Sequence, residues 1–187
     1  ETDEEGNETI AAEWDSTTKA HEVEGLKAGV TYTLRETVAP EGYTITADTT
    51  FTIDENGKVT STGTITEGGV MLIEDAMTVV KVSKVDVADG KELEGAKIQI
   101  LDDKGKVVAE WTSGKQPHVV KGLKTGVKYT LHEVVAPNGY EITADTTFTI
   151  DKYGNVTSSG TITKDGVLLI EDAKKEEHHK KPKKKDS

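Results

Sequence analysis

Three ionisable residues in the second half of the chain sit at strand spacing among apolar neighbours. Lys84 follows Val80 and Val82 at every second position, Glu133 follows Tyr129 and Leu131, and Asp172 follows Leu168 and Ile170. Side chains two apart on a strand share a face. Each charged group is therefore expected to point where the apolar residues point, into a core. Burial of a charge is costly unless the group is paired or hydrogen-bonded. A Lys, a Glu and an Asp desolvated together have a chemical outlet. Burial favours the neutral amine and the neutral carboxyl. A neutral amine is a nucleophile, a protonated carboxyl can accept it, and a neighbouring Glu can carry protons as general acid and base. The product would be an amide between Lys84 Nζ and Asp172 Cγ, with loss of water. Without that bond, the same residues read as a buried salt-bridged triad. Lys81 has the opposite parity, beside Ser83, and is expected in solvent.

The elements that must hold these groups are strands. Alternating or β-rich runs occur at 78–85, 96–101, 107–111, 127–133, 141–150, 155–162 and 167–172. A turn-rich loop at 86–94 and the hairpin turn DDKGK separate the first of them. Short strands at close spacing with Gly, Asn and Asp between them predict an all-β fold, an antiparallel sandwich or barrel. No helical periodicity of useful length is present.

The chain repeats itself. Residues 25–76 align without gaps to 122–173, at an offset of 97, with 39 of 52 positions identical. The register extends back to Trp14 and Trp111. A period this long predicts two tandem domains of ordinary size: 1–76, 77–173, and a low-complexity, disordered Lys-rich tail at 174–187. The first copy carries Glu36 and Asp75 where the second has Glu133 and Asp172. Most of the counterpart of 78–101 would lie ahead of residue 1, so the first domain is expected to lack its first strand, with its lysine, and most of its second. Either that strand lies upstream in a longer parent protein, or another chain supplies it. The join around Met77 has no Gly, Pro or Ser-rich linker.

Composition narrows the function. The net charge is −11, and the tail from Lys174 holds seven Lys against three acids, so the body is strongly acidic. That argues against a nucleic-acid partner. There is no cysteine, which excludes disulfides, thiolate zinc sites and thiol catalysis. No run is long enough to span a membrane. No phosphate loop and no arrangement for catalytic turnover is present, and no cofactor or metal is expected. His21 and His118 recur at equivalent positions without a partner motif, and Trp14 and Trp111 read as packing residues. His178 and His179 could bind metal adventitiously. The Asp-rich turns lack the spacing of an EF-hand loop.

The segments GKELEGAKIQI, EVVAPNGY (Glu133 to Tyr140) and the closing IEDA resemble the Cna protein B-type domain. This family is also called SpaA-like or prealbumin-like and occurs in Gram-positive pilins and adhesins. The stretch KVSKVDVADGKELEGA is similar to the segment bearing the reactive lysine in the parent domain of the SpyCatcher/SpyTag pair. The resemblance implies a prealbumin- or Ig-like β-sandwich. It implies an isopeptide bond from Lys84 to Asp172, with Glu133 as proton shuttle. Glu36 and Asp75 are the corresponding shuttle and acceptor in the first domain. It further implies a stalk or spacer repeat of an extracellular, cell-wall-anchored surface protein that reacts once with itself and is not an enzyme. Its partners would be a host matrix or cell-surface ligand, through the parent protein, and peptidoglycan, through a sorting signal beyond the chain. Neither a Tyr-Pro-Lys pilin motif nor a Leu-Pro-x-Thr-Gly signal is visible. The Lys-rich tail resembles the spacer that precedes such a signal. Two other roles stay open: an adhesive module binding a matrix protein or glycan, and a domain completed by a Lys-bearing strand from another chain.

Overall fold

The computed structural model describes residues 8–176. It contains strands and no helix, divided into two compact units: 1–40 with 44–76, and 41–43 with 77–187.

In the first unit, β1 (Tyr32–Leu34), β2 (Thr49–Ile53) and β3 (Val59–Ser61) form an antiparallel sheet in that order. A separate two-stranded ladder joins β4 (Thr64–Ile65) to β5 (Met71–Leu72). Tyr32 and Phe51 face each other across β1 and β2, their rings 5.4 Å apart, and are the buried hydrophobics of this unit among the described residues.

Among the described residues the second unit has nine strands: β6 (Val79–Asp86), β7 (Lys97–Leu101), β8 (Val107–Thr112), β9 (His118–Lys121), β10 (Tyr129–Val135), β11 (Thr146–Ile150), β12 (Val156–Ser158), β13 (Thr161–Ile162) and β14 (Val167–Asp172). They form a five-stranded sheet, β12-β11-β10-β7-β8, and a four-stranded sheet, β13-β14-β6-β9. Alternate residues of both sheets enter one core. Val80 and Val82 of β6 and Leu168 and Ile170 of β14 meet Ile98, Ile100, Leu131, Phe148 and Ile150 of the other sheet. Two sheets sharing one core make a sandwich. The pairings are antiparallel except β6 with β14, which run parallel in continuous register from Val167 opposite Lys81 to Asp172 opposite Asp86.

The strands follow the sequence pattern with three differences. His118–Lys121 is a strand, an edge of the four-stranded sheet, where none was expected. The run at 141–150 is a strand only from Thr146. Its earlier backbone groups are engaged elsewhere: Glu141 N–H donates to Ala173 O at 2.9 Å, and Thr143 N–H donates to the Glu133 carboxylate at 2.9 Å. The run at 155–162 breaks at Ser159–Gly160, where the chain leaves one sheet for the other. Gly160 packs so closely on Thr146 that a Cβ there would lie 2.9 Å from Cγ2, so the crossing requires glycine.

Of the expected tail, residues 174–176 are described. Lys174 bridges Tyr140, and Lys175 N–H donates to Gly139 O at 2.8 Å. The rest of the tail, with His178 and His179, lies outside the described residues.

Candidate functional site in the sandwich core

Three strands deliver the charged groups of the second unit. β6 alternates, with Val80, Val82 and Lys84 each buried and Lys81 exposed. Near its end both faces are covered, so Ser83 and Val85 on the opposite face are also buried, as is Asp86 on the Lys84 face. β10 buries Tyr129, Leu131 and Glu133, and β14 buries Leu168, Ile170 and Asp172. The Lys84, Glu133 and Asp172 side chains have no exposed surface.

Lys84 Nζ lies 2.7 Å from Asp172 Oδ1 and 3.7 Å from Glu133 Oε2, and donates to Ile170 O at 3.0 Å. Asp172 Oδ1 and Oδ2 and Glu133 Oε2 are fully buried with no aligned hydrogen-bond donor. The Lys84–Asp172 approach is thus at the short end of the usual N–H···O range but without hydrogen-bond alignment. Glu133 Oε1, by contrast, is anchored by Thr143 N–H at 2.9 Å. Burial, and then the facing Asp172 carboxyl, push the Glu133 carboxyl up to about 7, against the opposing pull of Thr143 N–H and Lys84. Two ionised carboxylates can only repel each other, and a proton on one of them converts the contact into a hydrogen bond. A cavity of about 90 Å³, lined in part by Glu133, Thr143, Gly160, Thr161 and Ile170, adjoins the site. That space is large enough for water.

Glu36 and Asp75 are brought together in the first unit. Glu36 Oε1 accepts from Thr46 N–H at 2.9 Å, as Glu133 does from Thr143. Its carboxyl is pushed up to about 7 by burial and by Asp75. Asp75 Oδ1 is buried without a hydrogen-bond partner. Neither acid is as enclosed as its counterpart, both being half-buried.

One residue beside the lysine site escapes a reading of the sequence. Asp86 falls in the expected loop but ends β6 on the same face as Lys84, and it is buried. Its Oδ2 accepts from the Tyr140 hydroxyl at 2.6 Å, and its Oδ1 from Ala88 N–H at 2.8 Å. The alternation of Val80, Val82, Lys84 and Asp86 is the available signal. The tryptophans do not stand alone: Trp111 stacks on His118 at 4.3 Å and 12°, and Trp14 on His21 at 4.4 Å and 14°. In the second unit this stack joins the edge strands of the two sheets, β8 and β9. Burial lowers the His118 pKa, favouring the neutral ring. Among the described residues, no three His, Cys, Asp or Glu side chains gather as a metal site, and no helix is long and apolar enough to cross a membrane.

The sequence pattern of the SpaA prealbumin-like fold domain matches residues 2–67 and 78–165. No curated protein matches the chain. Among solved structures, the C-terminal fragment of the pilus adhesin SpaC from Lactobacillus rhamnosus GG is 18% identical, with a TM-score of 0.47, over 80% of this chain and 78% of that one. The open conformation of SpaC is 19% identical, with a TM-score of 0.44; 77% of this chain is covered, which spans 24% of that longer protein. The shaft pilin SpaA of the same organism is 17% identical, with a TM-score of 0.43, over 78% of this chain and 63% of that one. Two matches to one family, one in each repeat, on an all-β sandwich architecture, establish that the chain belongs to the SpaA family of prealbumin-like fold domains.

Proposed function

We propose that this chain is a structural stalk or spacer of a Gram-positive surface adhesin or pilin-like protein. Its second domain, 77–173, is locked by an intramolecular Lys84–Asp172 amide. The first domain, 1–76, carries the matching acids Glu36 and Asp75, and 174–187 is a Lys-rich spacer. The observation that supports this reading is the enclosed contact of Lys84 Nζ with Asp172 at 2.7 Å, beside a Glu133 carboxyl pushed up to about 7.

The reaction balances internally. Proton transfer from the Lys84 ammonium to the carboxyl pair leaves a neutral amine and a protonated Asp172. The amine attacks Asp172 Cγ. Glu133 takes a proton from the nitrogen and returns one to the departing hydroxyl, which leaves as water. The adjoining cavity gives that water somewhere to go. Strands fixed in one register supply proximity, an effect worth up to about 7 kcal/mol or more in well-oriented intramolecular reactions. The reaction occurs once per molecule, so the protein is not an enzyme. The amide ties the first strand of the domain to its last. Tension between the domain ends then runs through a covalent bond instead of the hydrogen-bond ladder.

Intact mass of the whole chain tests this. The expected result is one water below the sum of its residues, with Lys84→Ala and Glu133→Gln at full mass. A wild-type chain at full mass would sink the proposal, leaving an electrostatic triad.

A further inference from the structure

Tyr140 is tied to both strands that carry the reacting groups. Its backbone bridges Lys174, and Glu141 N–H donates to Ala173 O, just beyond Asp172. Its hydroxyl donates to Asp86 Oδ2 at 2.6 Å, two residues beyond Lys84 on the same face of β6. Asp86 stands opposite Asp172 in the parallel register, and Val87 N–H donates to Asp172 O at 2.9 Å. Tyr140 also lies seven residues beyond Glu133, across a turn in which Tyr140 N–H returns to Pro137 O at 3.0 Å and Gly139 adopts a φ of +84°. Through its hydroxyl and its backbone, this one residue connects the segments bearing Lys84, Glu133 and Asp172.

The bond is firm from both sides. The Tyr140 hydroxyl, Ala88 N–H and, more weakly, Lys174 hold the Asp86 carboxyl below its ordinary range. Asp86 and burial push the Tyr140 hydroxyl up to about 12. The hydroxyl stays a donor and Asp86 an ionised acceptor, so this third acid does not compete for the proton held by Glu133.

We infer that Asp86 and Tyr140 are positioning residues for amide formation, a latch that holds the end of β6 in the register placing Lys84 Nζ on Asp172. This rests on the proposed amide. A displacement of about 1 Å at a reacting atom can cost about a hundredfold in rate, so loss of the latch is expected to slow the reaction while leaving its end point unchanged.

The test follows loss of one water by intact mass over time, in the full chain made by cell-free translation and quenched in denaturant. Tyr140→Phe and Asp86→Ala should each slow it about tenfold or more, and the double variant should be no slower than either alone. Asp86→Asn keeps an acceptor for the hydroxyl and should restore most of the rate, which a loss of fold stability alone would not reproduce. Tyr43→Phe, the counterpart change in the first repeat, should leave the rate unchanged. Wild-type kinetics for Tyr140→Phe, or equal rates for Asp86→Asn and Asp86→Ala, would overturn the latch while the amide stands. A wild-type chain that never loses water would overturn both. Should Tyr140→Phe fail to fold, the two Asp86 variants decide the matter.

Discussion

The two repeats are a natural experiment in what a sequence needs around it. Ile73 and Ile170 occupy the same place in the same motif, yet Ile73 is 42% exposed and Ile170 4%. Leu34 is half-buried where Leu131 is buried, and Asp75 is half-buried where Asp172 is fully enclosed. In the second unit Ile170 and Leu131 lie against β6 and β7; among the described residues of the first unit no strand takes those places. Alternation decides which side of a strand is apolar. It does not create a core, which requires a second layer. The acids make the same point. Glu36 keeps its backbone donor, which the hairpin supplies, and its raised pKa, which burial and Asp75 supply. Only the second unit adds the cation.

The contrast between the repeats breaks most completely with Lys84→Ala. This change removes the proposed amide and strands Glu133 and Asp172 without their cation. Together these should cost about 4 kcal/mol or more, lowering the melting temperature of the second unit by roughly 20 °C. Hydrogen exchange at the β7 and β10 amides would read that unit specifically, and wild-type protection there would contradict the triad's role. Next in size, Ile170→Ala should cost about 3 kcal/mol in a urea melt, and Ile73→Ala less than about 1 kcal/mol. Equal costs would mean that the first repeat also buries its closing strand in solution. The smallest effect is a pH dependence. A folded-state pKa raised to about 7 means that the folded first unit holds the Glu36 proton more tightly than the unfolded chain. The stability this gives is fully present below the unfolded value near 4.5 and is lost as pH rises through about 7. Glu36→Gln should flatten that slope, and carbonyl chemical shifts should show Glu36 titrating near neutrality.

Most of this architecture is legible in period-two patterns. Val80-Val82-Lys84, Tyr129-Leu131-Glu133 and Leu168-Ile170-Asp172 each place a charge at the end of an apolar face, and all three face one core. What such a pattern does not supply is pairing. Nothing local says that β6 and β14, 86 positions apart at Lys84 and Ile170, lie side by side and parallel. The strand His118–Lys121 is four residues long, follows Pro117 and is half-exposed, so its signal is faint. Thr143 lies in a β-rich run, but its N–H serves Glu133 instead of a ladder. Asp86 reads as loop because Asp-rich turn chemistry follows at once, although its parity with Lys84 already places it inward.

The parallel course of β6 and β14 has one further consequence. The first strand of the unit is β6 and its last is β14, so pulling the start of β6 away from the finish of β14 slides these neighbours along their length. Their hydrogen bonds are then strained in shear, all at once, and do not open one after another like a zip. The proposed amide at Lys84 and Asp172 would shorten the force path to a few residues of β6 and a single crossing. Everything between those two positions would hang outside the line of tension as slack that is never let out. So bonded, the unit would be inextensible: it would transmit a tug without lengthening and dissipate none of it by unfolding.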